Sequence, residues 1–170
     1  MNIKTLVSAI FTYTSIYFII LDNMKNIIAF LLIAFTLIGC KSQEEKDREI
    51  IEDFIANEGW SAEELPSGLF VVIDNQGTGE FPTADSTVKV FYKGYLPNKK
   101  IFDQALNSPA EFKIAHTIIG WQEGIPKFKE GGEGHLLIPS HLGYGKFGTG
   151  SIPGNSVLIF DVGLLEITGN

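Results

Sequence analysis

Residues 143–154 read GYGKFGTGSIPG, and the first six of them fit the dinucleotide fingerprint G-x-G-x-x-G. That fingerprint holds a pyrophosphate only where it follows a strand and opens a helix, whose N-terminal amides face the phosphates. Upstream, His135, Leu136, Leu137 and Ile138 read as a strand, but Pro139 closes it, and glycines continue through Gly150 to Pro153 and Gly154. No helix starts in such a run. Downstream, SVLIFDVGLLEI (156–167) is β-branched and apolar with no 3.6-residue period. The glycine loop therefore joins strand to strand, and the reading is against a nucleotide.

Working outward, short strands alternate with turns. LFVVID (69–74) is followed by a turn at 75–79, and 87–95 alternates, with Val88, Val90 and Tyr92 on one face and Lys89 and Lys93 on the other. Residues 111–114, 134–139 and 156–167 complete about five strands, the last apolar on both faces as a central, covered strand is. Ile118, Trp121, Ile125 and Phe128 make one apolar stripe, and Pro126 limits the helix to about 119–124. The fold class predicted is α+β: a twisted antiparallel sheet around one short helix, without internal repeats.

The 170 residues leave room for one ordinary domain plus extensions. Lys25 and Asn26 precede the apolar run IIAFLLIAFTLIGC, which ends at Cys40, the only cysteine. It reads as a signal peptide too short for a stable membrane span. LIGC at 37–40 resembles a bacterial lipobox, which implies lipidation of Cys40; one cysteine cannot build a disulfide framework. A second apolar stretch lies before Met24, and MKNIIAF from Met24 is itself a sufficient signal-peptide start. Residues 1–23 are accordingly read as an upstream extension, the alternative being a first membrane segment. The expected organisation is 1–23 extension, 24–39 lipoprotein signal peptide, 40–67 acidic helical tether and 68–170 globular domain.

Nine acids against one lysine and one arginine fall in 44–64, whereas ten acids and eight lysines lie from Leu69 onward. The acidity sits in the tether. A near-neutral domain on a negative stem argues against nucleic acid, whose backbone requires a basic face. Ile50, Ile51, Phe54 and Ile55 recur at helical spacing, so 45–57 is predicted to be an amphipathic helix stopped by Gly59. It could dock on the domain, pair with a partner, or hold the domain off a membrane.

Of the side chains that carry chemistry, His116, His135 and His141 have no metal-ligand spacing and no further cysteine to complete a zinc site. Ser140 beside His141 lacks the G-x-S-x-G context of a hydrolase. The histidines read as surface or turn residues. No metal and no cofactor are expected, and what remains is aromatic: Tyr92, Phe102, Trp121, Tyr144 and Phe160, with Asp103 beside Phe102.

VFYKGYL, IFDQ, IIGWQEGI, FKEGGEGHLLIPSHLGYG and SIPGNSVLIFDVGLLEI follow one another in an order and spacing that resemble the FKBP-type peptidyl-prolyl cis-trans isomerases over about 69–168. With the lipobox and acidic helix, the chain looks like a lipid-anchored bacterial member. The resemblance implies a sheet wrapped round the short helix, an apolar cleft between them, and a glycine loop arching over it with Ile152 near its tip. It implies Trp121 as floor beneath a proline ring, Tyr92, Phe102 and Phe160 as walls, and Thr117 and Ile118 at the rim. Tyr144 would donate to a substrate carbonyl, and Asp103 would fix the tyrosine network.

Four departures stand out. Ala110 replaces a frequent aromatic wall, the loop 104–108 is short, the flap 144–152 is about one residue short, and Thr117 also replaces an aliphatic residue. These changes should widen the cleft and weaken macrolide ligands. The implied activity is X-Pro isomerisation in proline-containing polypeptides folding in the bacterial cell envelope, from a membrane anchor at Cys40. The rivals are a non-catalytic peptide-binding or chaperone module using the same cleft, and a scaffold recruited through the acidic helix.

Overall fold

Apolar side chains on alternate positions of one sheet are what two separate helices cover. The computed structural model describes residues 41–169, and those from 42 onward form one compact unit. Its elements are α1 (Gln43–Glu58), β1 (Glu63–Glu64), β2 (Phe70–Asn75), β3 (Thr87–Tyr95), β4 (Ile101–Lys113), α2 (Ile119–Gly124), β5 (Glu133–Ile138) and β6 (Leu158–Gly169). The strands form one sheet in the order β1-β2-β5-β6-β3-β4, every neighbouring pair antiparallel. The expected signal peptide, upstream extension and Cys40 lie outside the described residues.

α1 starts where its sequence allows. Ser42 Oγ accepts from Glu45 N and Glu45 Oε2 accepts from Ser42 N, a capping box that satisfies two helix-end donors, and Gly59 in the left-handed region closes the helix. The helix docks on the sheet, one of the three readings left open. Its Ile51 and Phe54 are buried with Phe70, Val72, Tyr95, Leu137 and Ile159 on one face. The opposite face carries Val88, Val90, Tyr92, Leu136, Ile138, Leu158, Phe160 and Val162 against Trp121, Ile125 and Phe128 of the α2 region. β6 feeds both cores with alternate residues, which explains its unbroken apolar run. α2 lies close to the strands because a Cβ on Gly120 or Gly124 would stand 2.5 Å from Ile138 Cγ2 or Leu136 Cδ2.

Two readings of the strands are corrected. There are six strands, since the two-residue β1 pairs with Val71 and Phe70. Residues 104–108, expected as a loop before a short strand at 111–114, belong to one long β4. Its register with β3 jumps from Tyr92↔Ala105 to Val90↔Ala110, so residues 106–109 bulge opposite Phe91. Asn107, Ser108 and Pro109 carry a turn-like composition, and Pro109 is tolerated because β4 is the sheet edge.

Candidate active site

The nine residues singled out for the cleft come from five separate parts of the fold. β3 supplies Tyr92; β4 supplies Phe102 and Asp103; the start of α2 supplies Thr117, Ile118 and Trp121; β6 supplies Phe160; and the loop after β5 supplies Tyr144 and Ile152. All nine line one cleft of about 600 Å³ between α2 and the sheet face that carries Tyr92 and Phe160. Phe112, His116 and residues 149–151 complete it.

Trp121, only 5% exposed, stands at the centre of the cleft's aromatic side chains. Tyr92, Phe112 and Phe160 meet it edge to face, with centroids at 5.3, 5.4 and 5.3 Å, and Phe102 meets Phe160 at 5.4 Å. Such edge contacts add about 0.5–1.5 kcal/mol per pair beyond area burial, so the collar is rigid as well as apolar. Trp121 Nε1 is the one buried side-chain polar atom without a hydrogen-bond partner among the described residues. Three aromatic rings border the indole.

Phe112 was missed in sequence. Ala110 was expected to leave the cleft wide, but Phe112, two residues along the same face of β4, forms the wall beside Tyr92 and Trp121. The period of two would have found it.

The polar groups are few. Tyr92 Oη donates to Asp103 Oδ2 at 2.7 Å, and Gln104 N donates to Asp103 Oδ1 at 2.9 Å, which uses both carboxylate oxygens. Burial first, and then the Asp103 carboxylate, push the Tyr92 hydroxyl far above its ordinary range. Tyr144 is raised likewise, by burial and then by Asp103. Both phenols keep their protons at neutral pH, and that of Tyr92 is donated to Asp103. Thr117 turns its hydroxyl back on the Ile114 carbonyl at 2.7 Å, and its own carbonyl accepts from Gln122 Nε2 at 2.7 Å, so its polarity is absorbed locally.

The glycine loop arches over this cleft. Thr149 and Ile152 form an isolated bridge with N–H···O distances of 3.0 and 2.8 Å, while Gly145, Gly148 and Gly150 take φ of 61, 67 and 51°. Those angles favour glycine because a Cβ clashes there, which is why this loop is glycine-rich. Its only helical piece is the 3-10 turn Gly145–Phe147, and the next element is β6.

Residues 78–165, just over half the chain, match the family of FKBP-type peptidyl-prolyl cis-trans isomerases. The chain belongs to that family. Among FKBP-type relatives, a probable isomerase of Haemophilus influenzae is 45% identical over 59% of this chain and 43% of its own length. FkpA of Escherichia coli is 40% identical over 73% of this chain and 46% of its own length. The chain thus spans less than half the length of these curated relatives. Among solved structures, a peptidyl-prolyl cis-trans isomerase of Pseudomonas syringae aligns with a TM-score of 0.63 at 32% identity, covering 76% of this chain and 98% of that one. The crystal structure of Escherichia coli FkpA aligns with a TM-score of 0.63 at 27% identity, covering 98% and 94%. The FKBP-like fold expected from the motifs is the fold found.

The histidine reading needs one correction. His116 edges the cleft and His141 is exposed, but His135 is a packed residue on the reverse face. It stacks on Trp60 at 3.8 Å and lies 2.9 Å from Asp161 Oδ1 and 3.0 Å from Asp74 Oδ2. Its neighbours are remote in sequence, so no local spacing signalled them. Among the described residues, no group of three His, Cys, Asp or Glu side chains is arranged to hold a metal.

Proposed function

We propose that this FKBP-type chain accelerates rotation about X-Pro bonds in polypeptides of the bacterial envelope, without a covalent intermediate. The observation that carries the reading is an aromatic collar of Tyr92, Phe112 and Phe160 around Trp121 in a cleft with few polar side chains. Rotation breaks amide resonance over a barrier of about 18–20 kcal/mol, although the isomers differ by only about 1 kcal/mol. A twisted amide has lost charge separation, so an apolar, water-poor cleft favours it over the planar ground state. Each ~1.4 kcal/mol removed from the barrier gives tenfold in rate.

In this reading the proline ring sits on Trp121 between Tyr92, Phe102, Phe112 and Phe160, with Ile118 and Ile152 closing over it. Tyr144 has no side-chain hydrogen bond to the protein among the described residues, and its protonated hydroxyl donates to the substrate carbonyl. Asp103 holds Tyr92 and sets the local field, and Thr117 shapes the rim. Anchoring through a lipidated Cys40, after removal of a signal peptide at 24–39, belongs to the same proposal; mass spectrometry of the protein from a bacterial membrane tests it.

The decisive assay is cis-to-trans exchange NMR of a Leu-Pro or Phe-Pro peptide with residues 41–170. Acceleration proportional to protein concentration and sharply reduced in Tyr92→Ala supports the enzyme. No acceleration by a folded protein overturns it and leaves a peptide-binding module.

A further inference from the structure

Asp47 lies on the second turn of α1, away from the cleft, and is fully buried. A buried carboxylate is costly unless its oxygens are hydrogen-bonded. Both are: Oδ1 accepts from Gln43 Nε2 at 2.6 Å, and Oδ2 accepts from the backbone N–H of Ser140 at 2.8 Å, across 93 residues of sequence.

The Ser140 end explains the arrangement. Ser140 opens the 3-10 turn Ser140–Leu142, and Pro139 at the cap position offers no side-chain acceptor. The first N–H of that turn is buried with Ser140, itself 3% exposed, and would have no partner from its own segment. Asp47 caps it from another helix. From there the backbone is held step by step: Leu142 N donates to Pro139 O at 3.0 Å, Gly143 N donates to Ser140 O at 3.1 Å, and Leu142 is buried in the cleft-side core. The next residue is Tyr144. Tyr144 is 39% exposed and lines the cleft, so the backbone turn beneath it contributes to where its hydroxyl points.

We propose that Asp47 is a positioning residue for Tyr144, so that α1, outside the catalytic face, sets the geometry of the cleft's free hydroxyl. This rests on the isomerase reading for its kinetic consequence, but not for its structural one.

The test uses the full-length chain in three variants. Asp47→Ala removes the cap and should lower kcat/KM on a Leu-Pro peptide roughly tenfold, mainly through kcat, as expected for a displaced group. Asp47→Asn keeps a carbonyl oxygen for Ser140 N and should restore at least half of the wild-type rate. Phe54→Leu weakens the same helix-sheet contact without touching Ser140, and should leave kcat/KM within about twofold when measured well below its unfolding temperature. Tyr144 ring resonances in tyrosine-labelled protein and amide exchange at residues 140–144 are read in parallel. They should change in Asp47→Ala and stay unchanged in Phe54→Leu. Equal losses in Asp47→Ala and Phe54→Leu, or an unmoved Tyr144 ring in folded Asp47→Ala, would overturn the proposal. If the wild type does not isomerise any peptide, the functional reading fails, and the spectra alone decide the positioning role.

Discussion

Gly94→Ala should damage the cleft far more than it damages the fold. Gly94 is buried in β3 and paired on both sides, with Asp103 of β4 and Phe160 of β6, so its backbone has no room to retreat. A Cβ built there would stand 2.5 Å from Phe102 Cε2 and 2.7 Å from Phe160 Cε1. Carbon atoms pack at about 3.5–4.0 Å, so both rings must move by roughly 1 Å. Those rings are two walls of the cleft, and a misplacement of that size can cost up to about a hundredfold in rate. We expect kcat/KM on a prolyl peptide to fall between roughly ten- and a hundredfold.

The cost to stability is smaller. Overpacking a core position costs about 1–3 kcal/mol, and removing a glycine from a strand returns about 0.4–1 kcal/mol through the unfolded chain. The net loss of about 1–2 kcal/mol leaves a folded protein with a melting temperature a few degrees lower. Gly163→Ala is the control, since its nearest neighbour would be Phe91 Cβ at an ordinary 4.0 Å. It should keep full activity. Exchange NMR gives the rate and the phenylalanine ring resonances report the displacement. A folded Gly94→Ala protein with activity within threefold of wild type would refute the assignment of Phe102 and Phe160 as working walls.

Three further outcomes are expected. Tyr92→Phe removes the 2.7 Å hydrogen bond to the exposed Asp103; it should cost about 1 kcal/mol in denaturant unfolding and several-fold in kcat/KM, with Tyr92→Ala much worse. Gly148 has φ 67° and ψ −166°, a region open essentially to glycine, and a Cβ there would meet the Ile152 carbonyl; Gly148→Ala should open the Thr149–Ile152 bridge, seen as faster amide exchange in the flap and a raised KM. Burial opposes the charge on Asp161, but hydrogen bonds from His135, Lys93 and Tyr95 outweigh it and hold its carboxyl at about 2, below the ordinary 3.8. A lowered folded value means stabilisation that is present above about pH 4 and lost as the pH falls toward 2. With screening at this partly exposed site, urea unfolding should lose about 1–2 kcal/mol over that interval, and Asp161→Asn should lose less.

Much of the fold was legible because local chemistry and tertiary need agree along it. The alternation of Val88, Val90 and Tyr92 names the inward face of β3, and Pro126 with the Ile118–Trp121–Ile125 stripe bounds α2 at the residues found. The nine cleft residues were legible through their motifs, and the structure gathers all nine around one cavity. What sequence did not yield depends on contacts with no local trace. The β4 bulge looks like a turn because Asn107, Ser108 and Pro109 would suit one, and only pairing with β3 reveals a strand. Phe112 is a wall that no motif marked, and only its contacts with Tyr92 and Trp121 reveal it. The tie between Asp47 and Ser140 spans 93 residues, and the stack of Trp60 on His135 joins the end of a helix to the far side of a sheet.

The two faces of the sheet divide the labour in a way that makes stability and activity separable. On β3 and β6, Tyr92 and Phe160 enter the cleft, while their sequence neighbours Lys93 and Asp161 meet on the reverse face at 2.6 Å. There the Asp161 carboxylate also accepts from Tyr95 Oη at 2.8 Å and contacts His135 Nδ1 at 2.9 Å, joining β3, β5 and β6 directly behind the cleft walls. Strand neighbours point to opposite faces, so a reverse-face change reaches the cleft only by moving backbone. Trimming this network should therefore lower unfolding free energy before it lowers kcat/KM. A change at Gly94, which meets the cleft rings directly, should show the opposite order.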